Sequence, residues 1–162
     1  METAGELSVG LWEERSVLDK LAFKLEEQRL VLASGRHHWL EQASREVQDA
    51  VGLLDQAEQE RATVSSRLAC ELGLWPHSNL ETLASALPNP WDELMLAHRA
   101  ALAELLAKVQ RIASVNKELL LKSQDVVAAA LGLLGSGAPQ YGRDGGVCPD
   151  QVTPLRLLDM SV

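Results

Sequence analysis

The sequence predicts an all-α protein: an elongated antiparallel helical bundle, coiled-coil in character, of three long helices with a short connecting helix and a flexible C-terminal tail. Three observations predict it. Leu, Ala, Glu, Gln, Lys and Arg fill most positions, while aromatic residues are 4%, so helix formers dominate over strand formers. Leucines recur every seven residues over long stretches, which is the spacing that lets helices pack along their length. Gly and Pro are concentrated in a few breaks between those stretches.

The first helix is expected over residues 7–33, with Leu11, Leu18, Leu25 and Leu32 seven apart and Leu21 between them. Glu14 and Gln28 interrupt this seam. Ser34-Gly35 stops the helix, with glycine suited to the left-handed position after it. The second helix is expected over 38–72. Its seam is Leu40, Ala43, Val47, Ala50, Leu54, Ala57, Val64 and Leu68, with Arg61 as the exception. The short break between the two forces an antiparallel hairpin. Gly73, Pro76, Pro88 and Pro90 punctuate the next stretch, where residues 78–87 suit a short helix. Trp75, Leu80, Leu83 and Leu87 are expected to pack on the hairpin.

The third helix is expected over 91–134, with Asn89 or Pro90 at its cap and Asp92-Glu93 in the first turn, where acids suit the helix dipole. Leu105, Ile112, Leu119, Val126 and Leu133 repeat every seven residues. Leu102, Leu106, Val109, Leu120, Val127, Leu131 and Leu134 widen that stripe. It is broader than one neighbouring helix covers. Residues 1–134 are thus read as the bundle. Residues 135–162 are read as a flexible tail with Gly and Pro, closing on an apolar segment, 155–162.

Charge and composition narrow the function classes. A net charge of −8 disfavours nucleic acid and anionic membrane surfaces. No apolar stretch has the length to cross a bilayer, and the acidic start Met1-Glu2-Thr3-Ala4-Gly5-Glu6 is not a signal peptide. A cytoplasmic protein without stable membrane insertion is expected. Cys70 and Cys148 make no metal or redox spacing, so two free thiols are favoured over a single long-loop disulfide.

No Gly-rich phosphate loop, nucleophile elbow or zinc-helix motif is present. No catalytic, cofactor-binding or metal residue is assigned, and no cofactor is expected. His37 and Glu41, with His38 beside them, are the nearest to a metal set, and a polar helix start next to Trp39 is the preferred reading. His77 and His98 read as surface or boundary residues. Glu104 and Lys108 are placed for an i,i+4 pair.

The last third of the chain resembles the flagellar chaperones of the FlgN type. Val115-Asn116-Lys117-Glu118-Leu119-Leu120-Leu121-Lys122-Ser123-Gln124, followed by the apolar run 126–134, looks like that family's last long helix, where an Asn precedes a Leu-Leu pair and a polar turn. Gln140-Tyr141-Gly142-Arg143-Asp144-Gly145 resembles the Tyr-Gly-x-Asp-Gly segment that the family places soon after it. The first two helices match only in kind. The connection 73–90 and the partly apolar tail depart from the pattern.

The resemblance implies a cytosolic chaperone of flagellar type III export. It would bind the amphipathic terminal helices of hook-associated (hook–filament junction) proteins, prevent their aggregation or premature assembly, and deliver them to the export gate. The expected partner-binding residues are Asn116, Leu119, Leu120, Val126, Val127, Leu131 and Leu134 on the helix, and Tyr141, Gly142, Asp144 and Gly145 after it. A client helix lying in an apolar groove fits the excess apolar face. On the residues alone, about half of that face is needed for the bundle's own core. Asn116 reads either as a buried polar residue that sets register or as a surface residue. By the resemblance Tyr141 contacts the export gate or a neighbouring partner; locally it reads as a turn residue, with Gly142 and Gly145 shaping the turn. The segment 155–162 is expected to dock on a helical groove of this or another copy, so self-association is part of the expectation. The competing reading is a cytosolic coiled-coil adaptor or structural protein unrelated to export. A ferritin-like enzyme is more distant, since Glu93 and His98 have the wrong interval for its ligand motif.

Overall fold

The computed structural model describes residues 2–135, with side chains through residue 132. Among the described residues there are four α-helices, α1 (Glu2–Ala33), α2 (Leu40–Glu71), α3 (Leu80–Ala86) and α4 (Trp91–Gly135), and one 3-10 turn, His37–Trp39, before α2. There is no strand among the described residues. The all-α bundle of three long helices and a short connecting one is therefore the observed fold. The chain divides into two units, Met1–Ser123 and Gln124–Val162.

The helix ends follow from glycine chemistry. Gly35 and Gly73 both have positive φ, 67° and 71°, a conformation in which a Cβ is strained. At Gly73 the Leu74 N–H donates to Ala69 O (2.8 Å) and the Gly73 N–H to Cys70 O (3.1 Å). These two bonds satisfy carbonyls that the end of α2 leaves over. Asn79 caps α3 by accepting from the Thr82 N–H at 2.8 Å. Asn89 donates from its amide to Glu93 Oε1 at 3.0 Å, tying the start of α4.

In α1 the positions Ala4, Leu7, Leu11, Glu14, Leu18, Leu21, Leu25, Gln28 and Leu32 alternate three and four apart, and all are buried. Two apolar clusters result within the first unit. One joins Ala4, Leu7 and Leu11 to Leu68, Ala69, Leu83, Leu87 and Met95. The other joins Leu21, Ala22 and Leu25 to Ala50 and Ile112. Early α1 thus meets late α2 and early α4, while late α1 meets earlier α2 and later α4. The hairpin is antiparallel, and α4 returns parallel to α1. Burying one leucine of this seam is worth about 1.5–3 kcal/mol.

The polar interruptions pair with one another. Glu14 and Arg61, the exceptions in their two seams, form an ion pair at 2.5 Å between α1 and α2. Gln28 donates to Ser44 Oγ (3.0 Å) and accepts from Asn116 Nδ2 (2.9 Å), linking all three long helices. Ser8 Oγ and His98 Nε2 lie 3.1 Å apart between α1 and α4.

Three expectations are corrected. His98 is only 1% exposed: it sits three residues after Met95 and four before Leu102, on the buried seam of α4. Trp75 is 86% exposed. Its carbonyl accepts from Ser78 in a tight turn, and Leu74 takes the place in the core instead. Lys108 reaches Asp19 on α1 (3.9 Å) and not Glu104. Leu80, Leu83 and Leu87 do pack on the first cluster.

Candidate protein-docking site

The seam of α4 runs through Trp91, Met95, His98, Leu102, Leu105, Val109, Ile112, Asn116, Leu119 and Ser123, alternately four and three apart, and each of these is buried or half-buried. The next position is Val126, and it is 69% exposed. Every residue from Gln124 to Gly132 is exposed, including Val127 at 57% and Leu131 at 63%. Val127 and Leu131 are four apart, so they share a helix face. An apolar row that is buried or half-buried over about nine turns of helix is exposed from Gln124 to Gly132. Isolated exposed apolar residues are ordinary; a contiguous row at helical spacing marks an interaction surface.

The expected site residues fall into three sets. Val126, Val127 and Leu131 lie on this bare stretch. Leu119 and Leu120 are half-buried, and Ser123 Oγ donates to Leu120 O at 2.7 Å. Asn116 is buried, and its Nδ2 donates to Leu25 O (2.8 Å) as well as to Gln28. Its amide is used inside the bundle, as the register-setting alternative supposes. Leu134 lies within α4, beyond the described side chains. Tyr141, Gly142, Asp144, Gly145 and the segment 155–162 lie outside the described residues.

The electrostatics of the first unit are structural. Burial pushes the Glu14 carboxyl above its ordinary range, with Glu58 adding to the rise and Arg61 opposing it. Burial, and then the Arg15 guanidinium, hold His98 below the ordinary imidazole value, which keeps it neutral. Its Nδ1 is buried without a hydrogen-bond partner. Glu41 is paired with Arg45 at 2.6 Å, and His37 and His38 are exposed. Among the described residues no group of three or more His, Cys, Asp or Glu is placed to hold a metal. Among them, too, no helix is long and apolar enough to cross a membrane.

A helical bundle with an exposed apolar row at helical spacing has the makings of a helical protein-binding protein. The family model described as FlgN protein matches residues 1–147, the whole bundle and the Tyr141 segment with it. The chain belongs to the FlgN family, which are flagellar chaperones and not enzymes. The comparison with curated proteins and the comparison with solved structures each give no match.

Proposed function

We propose that this chain acts in the cytoplasm, binding the amphipathic terminal helices of hook-associated proteins and handing them to the flagellar export gate. The observation that carries the reading is the bare row Val126, Val127 and Leu131 on α4. A client helix laid against it, with Leu119, Leu120 and Leu134 at its borders, completes the seam that α1 and α2 complete earlier. While bound, the client's own apolar face is covered, so it neither aggregates nor assembles early. Tyr141, Gly142, Asp144 and Gly145 contact the gate or a neighbouring partner, by family resemblance. Asn116 contributes indirectly, by fixing how α4 is rotated against α1.

The test is capture of hook-associated proteins from a flagellated host, read by mass spectrometry, with the wild-type chain and with Val127→Asp/Leu131→Asp. Losing one such side chain's burial is worth about 1.5–3 kcal/mol, a weakening of about ten- to hundred-fold. The variant is expected to keep its helicity and melting point, because exposed substitutions cost within about 0.5 kcal/mol. Undiminished capture by a folded variant would remove the row from the site. Capture of no hook-associated protein by the wild-type chain would end the client assignment.

A further inference from the structure

A cleft of ≈ 770 Å³ lies between α1 and α4, well within the first unit. Trp12, Arg15 and Asp19 line it from α1; Leu105, Lys108 and Arg111 line it from α4. On α1 these residues fall three and four apart and on α4 three and three apart, about two turns or roughly 10 Å on each helix. The two helices run parallel here, so the cleft follows both of them. Ala101 and Leu105 lie along it on α4.

Its anchor is held in place. Trp12 is 57% exposed, yet the Arg15 guanidinium stacks on its face at 4.3 Å and the His98 ring meets its edge at 5.5 Å and 89°. Trp and Arg are among the residue types that most often carry binding energy at interfaces, and an indole already held in place loses little freedom on contact. The cations are under-used. Arg15 Nε is buried and has no acceptor. Arg111 makes no ion pair among the described residues. Lys108 approaches Asp19 only to 3.9 Å, beyond hydrogen-bond range. Asp19 and Glu104 are the two carboxylates on the rim, so three cations outnumber them in a chain whose net charge is −8. Screening over about 8–10 Å mutes the distant acids, so an arriving ligand meets the local arginines.

We propose that this cleft is a second docking surface, and that its occupant is an amphipathic helix with carboxylates bordering its apolar row. The guest's apolar row rests on Trp12 and Leu105, and its carboxylates accept from Arg15 and Arg111 in the two-pronged geometry that guanidinium favours. The surface shares no residue with the α4 row above and does not rest on that reading.

The test uses the full chain and two synthetic helical peptides with the same leucine row, one bordered by Glu and one by Lys, compared by titration calorimetry. The Glu peptide is expected to bind about ten-fold tighter, with the gap shrinking as salt rises. Arg15→Glu/Arg111→Glu is expected to invert the order, and Val127→Asp/Leu131→Asp to leave it unchanged. Should Arg15→Glu disturb the fold by circular dichroism, Arg111→Glu alone is expected to narrow the preference. Equal binding of both peptides, no binding of the Glu peptide, or an order untouched by charge reversal in a folded variant would overturn the proposal. So would sedimentation showing that the cleft is closed by a second copy of this chain and accepts neither peptide.

Discussion

At the scale of single residues, the polar members of the seams do the specifying. Glu14 is buried and Arg61 is partly in water. Arg61→Ala therefore strands a desolvated carboxylate, with an expected loss of about 2–3 kcal/mol, below the roughly 3–5 kcal/mol for fully buried pairs. The double change Glu14→Leu/Arg61→Leu is expected to be neutral or stabilising, because neither charge is then desolvated. Chemical denaturation of the two variants separates these outcomes. His98 gives a pH signature. Its imidazole is held below the ordinary imidazole value of 6.5 in the fold, so the unfolded chain binds the extra proton first as pH falls. Stability from this site is present above pH 6.5 and declines below it, toward the lowered folded value. Glu14 works in the opposite sense at more acidic pH. Its raised carboxyl costs stability at neutral pH, and that cost disappears as pH falls through the raised value toward 4.5. His98→Gln is expected to flatten the decline just below pH 6.5 in urea titrations.

At the scale of the elements, much was legible in the sequence. The seven-residue leucine repeats place all three long helices, and Gly35 ends α1 with the positive φ that its position suggests. Glu14 and Arg61 each stand out as an exception, but their partnership depends on how far α1 is shifted along α2, which no local pattern contains. His98 was missed although a signal existed: it falls at three and four residues from Met95 and Leu102. Trp75 was misplaced because hydrophobicity alone does not separate it from Leu74; the turn before Pro76 does. The row on α4 was visible as an excess of apolar residues. Which members of it are bare depended on where the neighbours of α4 stop. Burial now ranks them. Leu18→Ala, at a fully buried seam position, is expected to cost about 2–5 kcal/mol. Leu131→Ala on the exposed stretch is expected to cost under about 0.5 kcal/mol. Comparable losses in thermal melts would mean that Leu131 is covered in the free protein.

At the scale of the whole molecule, stability and, on the proposed function, client capture fall to different stretches. Both apolar clusters, and the interhelical contacts Glu14–Arg61, Gln28–Ser44, Asn116–Gln28, Ser8–His98 and Asp19–Lys108, use residues no later than Asn116. A chain ending at residue 123 is therefore expected to unfold cooperatively near the full-length melting point, within a few degrees, while capturing no hook-associated protein. Scanning calorimetry and the same pull-down check the two halves of that statement. A fragment that melts much lower would show that residues after 123 also hold the bundle together.

The contacts of His98 with Ser8 and of Asn116 with Gln28 have one more effect. A seam made only of leucines is nearly self-similar, so α4 could slip along α1 by one repeat at small cost. Here a slip of seven residues would bring His98 level with Arg15 instead of Ser8, and Asn116 level with Gly35 instead of Gln28. Like a zip with two odd teeth, the bundle closes in a single alignment.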